Sequence, residues 1–362
     1  HPERSRVGHI SVFALLLIVF CLIAEIIINK IQNEISLEIL YRRNIIENLF
    51  KTFISDDAGL NLLAQKVNAG NNYEGKYFKL NGDITYSYKK DWNVGFENNF
   101  NAIGKSDKPF SGHFDGNGKT ISGIRIFKSG INYQGLFGNS NGDLKGITLA
   151  DANIYGGANV GGIVGQDGGT VTNCQVANNV YVVATSNGGS IAGVNTGSIT
   201  NCFVNSSTVS GTSEYIGAIV GTNSGTLTNN HYLSATLGGA GASGSTTGAD
   251  VNGARKALTI TTSDANISFV PTGTATTNNV LTTYADNNVI KYDDVLYSGA
   301  GESVSLTFSY TGALAEGKAA GYKVNDVAIS GNSFTMPAAD ATITEVDVKM
   351  WGDGNGDSEA TA

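Results

Sequence analysis

Between residues 135 and 232 the apolar positions recur at a long fixed interval and not at helical spacing. Ile163, Ile191 and Ile219 are 28 residues apart, as are Val171, Ile199 and Leu227, and Val176, Val204 and Tyr232. Each set sits in a repeating phrase. GGIVG (161–165), GSIAG (189–193) and GAIVG (217–221) are followed by GTVTNC (169–174), GSITNC (197–202) and GTLTNN (225–230). An earlier copy, GLFG (135–138), ends 27 residues before Gly165 and leads into GDLKGI (142–147). Self-similarity at such a period marks a stacked repeat architecture. Without helical patterning, each unit reads as one coil of a β-solenoid. Equivalent residues of successive coils then lie about 4.8 Å apart, and the apolar sets become inward columns of a dry core. Asn173, Asn201 and Asn229 form a structural amide ladder, and Thr172, Thr200 and Thr228 a hydroxyl ladder; stacked amides hydrogen-bond along their column. The recurring glycines mark corners that need positive φ or close backbone approach.

Gln175, Phe203 and His231 occupy one repeat position and share no chemistry. This variability points to an outward face and makes the three candidate binding residues, although drift on a bland surface accounts for it equally well. Cys174 and Cys202 are one coil apart. Side chains of stacked parallel strands point the same way, which favours a column of free thiols over a disulfide. With Cys21 as the third cysteine and no C-x-x-C pair, neither a zinc nor a redox site is expected.

The flanks read differently. Residues 10–24 are apolar apart from Ser11 and follow Arg4, Arg6 and His9; Ile26, Ile27 and Ile28 resume after Glu25. The length falls between a signal core and a spanning helix. An uncleaved signal-anchor is favoured over a cleaved signal peptide, because no clean small-residue cleavage site follows. Ile35, Ile39, Ile46, Leu49, Phe50 and Phe53 fall near helical spacing, predicting an amphipathic helical stalk over 31–54. Asp56 to Gly70 carries helix start and stop signals, in the right place to cap the open end of a solenoid. KYFKLNGDITY (76–86) alternates as a strand, and FSGHFDGNGKTISGIRI (110–126) reads as a tighter coil around a Gly-Asn-Gly turn. Residues 237–255 read as a Gly/Ser/Thr linker. Strands are predicted at 304–310, 322–329 and 341–348, within a small β-module over 256–350. Asp353, Asn355 and Asp357 have the spacing that opens a calcium loop, but Ser358 stands where glycine is needed, so 351–362 reads as an acidic, solvated tail.

Charge narrows the function. The net charge is −8, and no Lys or Arg occurs between Lys145 and Arg255. A nucleic-acid partner is not expected, since phosphate binding needs a basic face. Glycine contributes 47 residues and proline 4, which suits tight turns between strands and excludes a collagen-like chain. From residue 146 to 250 the acidic residues are Asp151, Asp167, Glu214 and Asp250, none paired in repeat register. A glycoside hydrolase needs two carboxyls at set separation, so no catalytic residue, metal or cofactor is assigned. His113 and Asp115, on one face of a strand in GHFDG, are better read as stabilising a turn than as a catalytic pair, because no nucleophile completes a site.

The helix at 57–70, the KYFKLNGDI strand, PFSGHFDGNGKTISGI, GLFG and the GGIVG…GGTVTNC phrases together resemble the GLUG-motif family of bacterial surface proteins, over roughly residues 57–235. The resemblance implies a right-handed β-helix on a secreted or surface-exposed protein and carries no catalytic residue set. FTMPAAD, GESVSLTF and GYKVN resemble small bacterial surface β-repeat modules, which act as spacers. The fold expected is all-β: a right-handed parallel β-helix over 55–236 with an N-terminal cap helix, then a small β-sandwich-like module, with an N-terminal hydrophobic helix over 1–30. The function expected is a membrane-anchored cell-surface adhesin that binds host or environmental glycans or surface proteins. The alternatives are a carbohydrate-active enzyme or its accessory domain, and a passive stalk.

Overall fold

The computed structural model describes residues 28–32, 34, 51–87, 97–205, 207–213, 215–233, 237, 239, 251–262, 267–278, 281–311, 318–329 and 332–350. The hydrophobic segment at 10–24, most of the expected stalk and linker, and the acidic tail lie outside these residues. The chain divides into His1–Lys51 and Thr52–Ala362. In the first unit, residues 28–32 and 34 are helical.

The second unit is mostly β and forms a solenoid of about six turns followed by a sheet-rich module. Its long sheet stacks Lys51–Ile54, Tyr77–Leu80, His113–Asp115, Asp143–Lys145, Thr170–Thr172, Ser198–Thr200 and Thr226–Thr228, in that order. Lys51–Ile54, expected to end a helix, is instead the first strand of this sheet; Thr52, Phe53 and Ile54 are β-branched or aromatic and suit that place. The pairs from Tyr77 onward are parallel and in the repeat register, Val171 opposite Ile199 and Ile199 opposite Leu227. Side chains alternate across the sheet. Phe78, Phe114, Leu144, Val171, Ile199 and Leu227 therefore make one inward column, every member buried. A second sheet stacks Ile84, Ile121, Leu149, Val176, Val204 and Tyr232 into another. Ile163, Ile191 and Ile219 are fully buried and joined by backbone hydrogen bonds between coils. Each such side chain contributes about 1.5–3 kcal/mol by burial.

Helix α1, Asp57–Asn68, starts where the carboxylate of Asp56 accepts a hydrogen bond from the Gly59 amide at 2.8 Å. It buries Leu60, Leu63, Ala64 and Val67 in the solenoid's core.

Two corner devices fix the coil. Asn173, Asn201 and Asn229 have φ of 54°, 54° and 52°, the left-handed region that asparagine tolerates better than most residues. Gly146, which precedes Asn173 in the column, has φ 63°. Gly142, Gly169, Gly197 and Gly225 are needed for another reason: a Cβ on each would overlap the carbonyl oxygen of the glycine one coil earlier. Of the two roles expected for the glycines, this column serves close backbone approach.

Val251–Thr261, whose first residues were expected in a linker, is a strand. It adds in parallel to Asn230–Tyr232, with a register shift, and so extends the second sheet into the C-terminal module. It then pairs antiparallel with Val295–Gly299 and parallel with Ala341–Met350. A separate sheet holds Ile267–Pro271, Ser303–Tyr310 and Ser333–Thr335. Leu258, Leu296, Tyr322 and Ile343 from one sheet share a core with Phe269, Val304, Leu306 and Phe334 from the other.

Candidate functional site: the outer face of the long sheet

Outward positions of the long sheet form two polar columns. The first runs Tyr77, His113, Asp143, Thr170, Ser198, Thr226, and the second runs Lys79, Asp115, Lys145, Thr172, Thr200, Thr228. All twelve residues are half-buried or exposed. The columns are about 6.6 Å apart along each strand and their members about 4.8 Å apart between strands. In the last three coils the face is made of hydroxyls. Thr172 and Thr228 make no side-chain hydrogen bond among the described residues, and the Ser198 and Thr200 hydroxyls lie 3.3 Å from each other.

The early coils are charged. The Tyr77 and His113 rings stack at 4.3 Å and 12°. His113 Nδ1 lies 2.6 Å from Asp143 Oδ2, and Thr170 Oγ1 donates to Asp143 Oδ1 at 2.7 Å. The histidine's partner is thus on the next coil and not Asp115, two residues along its own strand. Asp115 Oδ1 accepts from the Asn117 amide at 2.8 Å and its other oxygen faces Lys145 at 3.8 Å, so the turn-stabilising role read from sequence describes Asp115. Asp143 thus bridges His113 and Thr170, one on each side of it, on an open surface. Among the described residues no three His, Cys, Asp or Glu side chains converge.

Gln175, Phe203 and His231 stack as expected, opposite one another with Thr148 before them. They do point away from the solenoid core, but they are not at the surface: their exposures are 3%, 1% and 2%. The C-terminal module covers this face. Phe203 packs with Leu281 and Ile290 and meets the Tyr292 ring at 4.8 Å. His231 Nδ1 lies 2.9 Å from Arg255 Nη2, and Arg255 is held by the Asn288 carbonyl at 3.0 Å and by Glu302. Burial, with Arg255 adding to it, pushes the His231 imidazole down to about 3. It is therefore a neutral acceptor for a buried guanidinium, which must be paired to be tolerated. Phe203 and His231 thus meet chemically different parts of the module, one apolar and one charged.

In the amide ladder, Asn229 Nδ2 donates to Asn201 Oδ1 at 2.7 Å. A second, buried ladder was not recognised in the sequence: Ser140, Asp167, Asn195 and Asn223 stack in register. Ser140 Oγ, Asp167 Oδ1 and Asn195 Oδ1 each accept from the backbone amide two residues on, at 3.2, 3.2 and 3.1 Å. Asn195 Nδ2 donates to Asn223 Oδ1 at 2.7 Å. Among the described residues Asp167 Oδ2 has no hydrogen-bond partner. Burial, reinforced by Asp143 and opposed by the Gly169 amide bond, raises its carboxyl to about 7. Cys174 and Cys202 are buried free thiols.

Comparison with known proteins gives one local likeness. Over 109 residues the chain is 38% identical to halomucin from Haloquadratum walsbyi, covering 28% of this chain and 1% of halomucin. The chain thus spans a very small part of that relative's length. No family profile matches, and no solved structure matches.

Proposed function

We propose that the protein is a cell-surface adhesin of the GLUG-motif type, whose solenoid presents the outer face of the long sheet to glycans or surface proteins. The observation that carries this reading is the contrast between two outer faces. One is covered by the protein's own C-terminal module, whereas the other displays ordered hydroxyls over three coils. A rigid array of modest hydrogen-bond donors and acceptors suits polyhydroxylated or protein partners through many weak contacts. The stretch shared with halomucin, mucin-like by name, supports the same surface reading. In this account the β-helix is right-handed, α1 caps its first coil, the C-terminal module is a sandwich-like spacer and residues 1–30 anchor the chain in a membrane. The protein acts by binding and without catalysis.

The test is a screen of the full chain against glycan and extracellular-protein arrays, with product analysis of every glycan bound. Saturable binding without turnover is expected. Turnover would replace the adhesin with a carbohydrate-active enzyme and direct attention to His113 and Asp143, the pair at 2.6 Å. Silence on all ligands would leave a passive stalk.

A further inference from the structure

Away from the long sheet, two hollows of about 350 and 650 Å³ share Asn68, Asn101 and Lys105. They lie between α1, the 97–107 segment and the residues that follow the Arg125–Phe127 strand. Lys105 and Lys128 both line the first hollow. The main chain at Lys105 is fixed: it exchanges two backbone hydrogen bonds with Lys108 at 3.0 and 3.1 Å, and its carbonyl accepts from Asn139 Nδ2 at 3.2 Å. Lys128 Nζ donates to Asn101 Oδ1 at 2.6 Å. Burial, and then the charge of Lys105, pull the Lys128 ammonium down from its ordinary value.

Among the described residues neither ammonium is paired with a carboxylate. Two cations that line one hollow and repel each other, one of them held by Asn101, on a chain of net charge −8, are complementary to an anion. An aliphatic and an aromatic side chain, Ile131 and Tyr133, also line the first hollow. Tyr133 stands half-buried at φ 60°, an unusual conformation for a bulky residue. Ile131 beside it is 56% exposed. The second hollow adds the exposed amide of Gln65, which can both donate to and accept from a hydroxyl. Asp107 also lines the first hollow and opposes an anion there.

We infer that this cleft binds an acidic saccharide, its carboxylate held by Lys105 and Lys128 and its ring against Tyr133 and Ile131. The site is separate from the hydroxyl face and does not depend on that face being adhesive.

The experiment is calorimetric titration of the full chain with trigalacturonate, its fully methyl-esterified counterpart and inorganic sulfate. Trigalacturonate is expected to bind saturably, with the ester at least about tenfold weaker, the loss of a charge-assisted contact. Lys105→Ala, at an exposed side chain, should weaken trigalacturonate about tenfold, and Asp107→Asn should strengthen it. Lys128→Met should behave as Lys105→Ala, and an unchanged melting temperature shows that its fold is intact; should it not fold, Lys105→Ala decides. Thr172→Val/Thr200→Val/Thr228→Val should bind trigalacturonate as the wild type does. Absence of binding, equal binding of the ester, sulfate binding as tight as the trisaccharide, wild-type affinity in Lys105→Ala, or loss in the threonine variant would each overturn the assignment.

Discussion

Replacing Asp167 by asparagine should stabilise the protein, and do so increasingly as the pH rises. Asp167 is fully buried in a column whose next members are Asn195 and Asn223, and one of its carboxylate oxygens has no hydrogen-bond partner among the described residues. Its folded carboxyl titrates at about 7 against an ordinary 3.8. At about 1.4 kcal/mol per pH unit this displacement corresponds to about 4 kcal/mol. Between those values the folded state binds more protons than the unfolded state, so this group's contribution falls as pH rises. The penalty is absent below about pH 4 and complete above about pH 7, to the order of magnitude set by that displacement. Asp167→Asn removes it. The new amide can also donate to Asn195 as Asn195 does to Asn223, contributing about 1 kcal/mol. Urea midpoints of both proteins between pH 4 and 8.5 measure the difference. His231 runs the other way: its folded value is lowered, so its contribution is lost as pH falls from about 6.5 toward 3. The comparison between the two proteins, and not the wild-type profile alone, isolates Asp167. A pH-independent difference, or destabilisation of Asp167→Asn at pH 8, would refute the reasoning.

Other expectations follow from the same packing. Ile191→Ala empties a fully buried position in an apolar column and should cost about 2–5 kcal/mol, read as a lowered urea midpoint. Gly197→Ala should be destabilising although its φ is not left-handed, because the added methyl meets the Gly169 carbonyl; thermal unfolding checks the sign. Phe203→Ala, which was expected to alter a surface contact, should instead loosen the module's packing on the solenoid by about 3–5 kcal/mol. Hydrogen exchange in 281–297 should accelerate while the solenoid strands keep their protection.

What the sequence made legible depended on the range of the forces involved. The columns at Val171, Ile199 and Leu227 could be read because a coil's core must repeat wherever the coil repeats. The Asn173 ladder was legible for the same reason, although the left-handed φ that selects asparagine there was not. The burial of Phe203 and His231 was illegible because a repeat pattern separates inside from outside but is silent about what docks on the outside. That cover comes from residues 255–302, remote in sequence and not periodic. The His113–Asp143 pair was missed because its spacing of 30 differs from the later period of 28, so the two positions do not align by counting. Asp167 was noticed as an unpaired acid; its place in a buried Ser/Asn column emerged only from strand register.

The central claim is that the hydroxyls of the long sheet form the adhesive face. Its most direct test is the affinity of Thr172→Val/Thr200→Val/Thr228→Val for the strongest neutral glycan or protein ligand found on the arrays, beside Tyr181→Ala as a control on another exposed face. The substitutions keep the β-branched shape and remove the hydroxyls. The account predicts at least about tenfold loss from the loss of three hydrogen bonds, with the control unchanged. Wild-type affinity in the triple variant would contradict it.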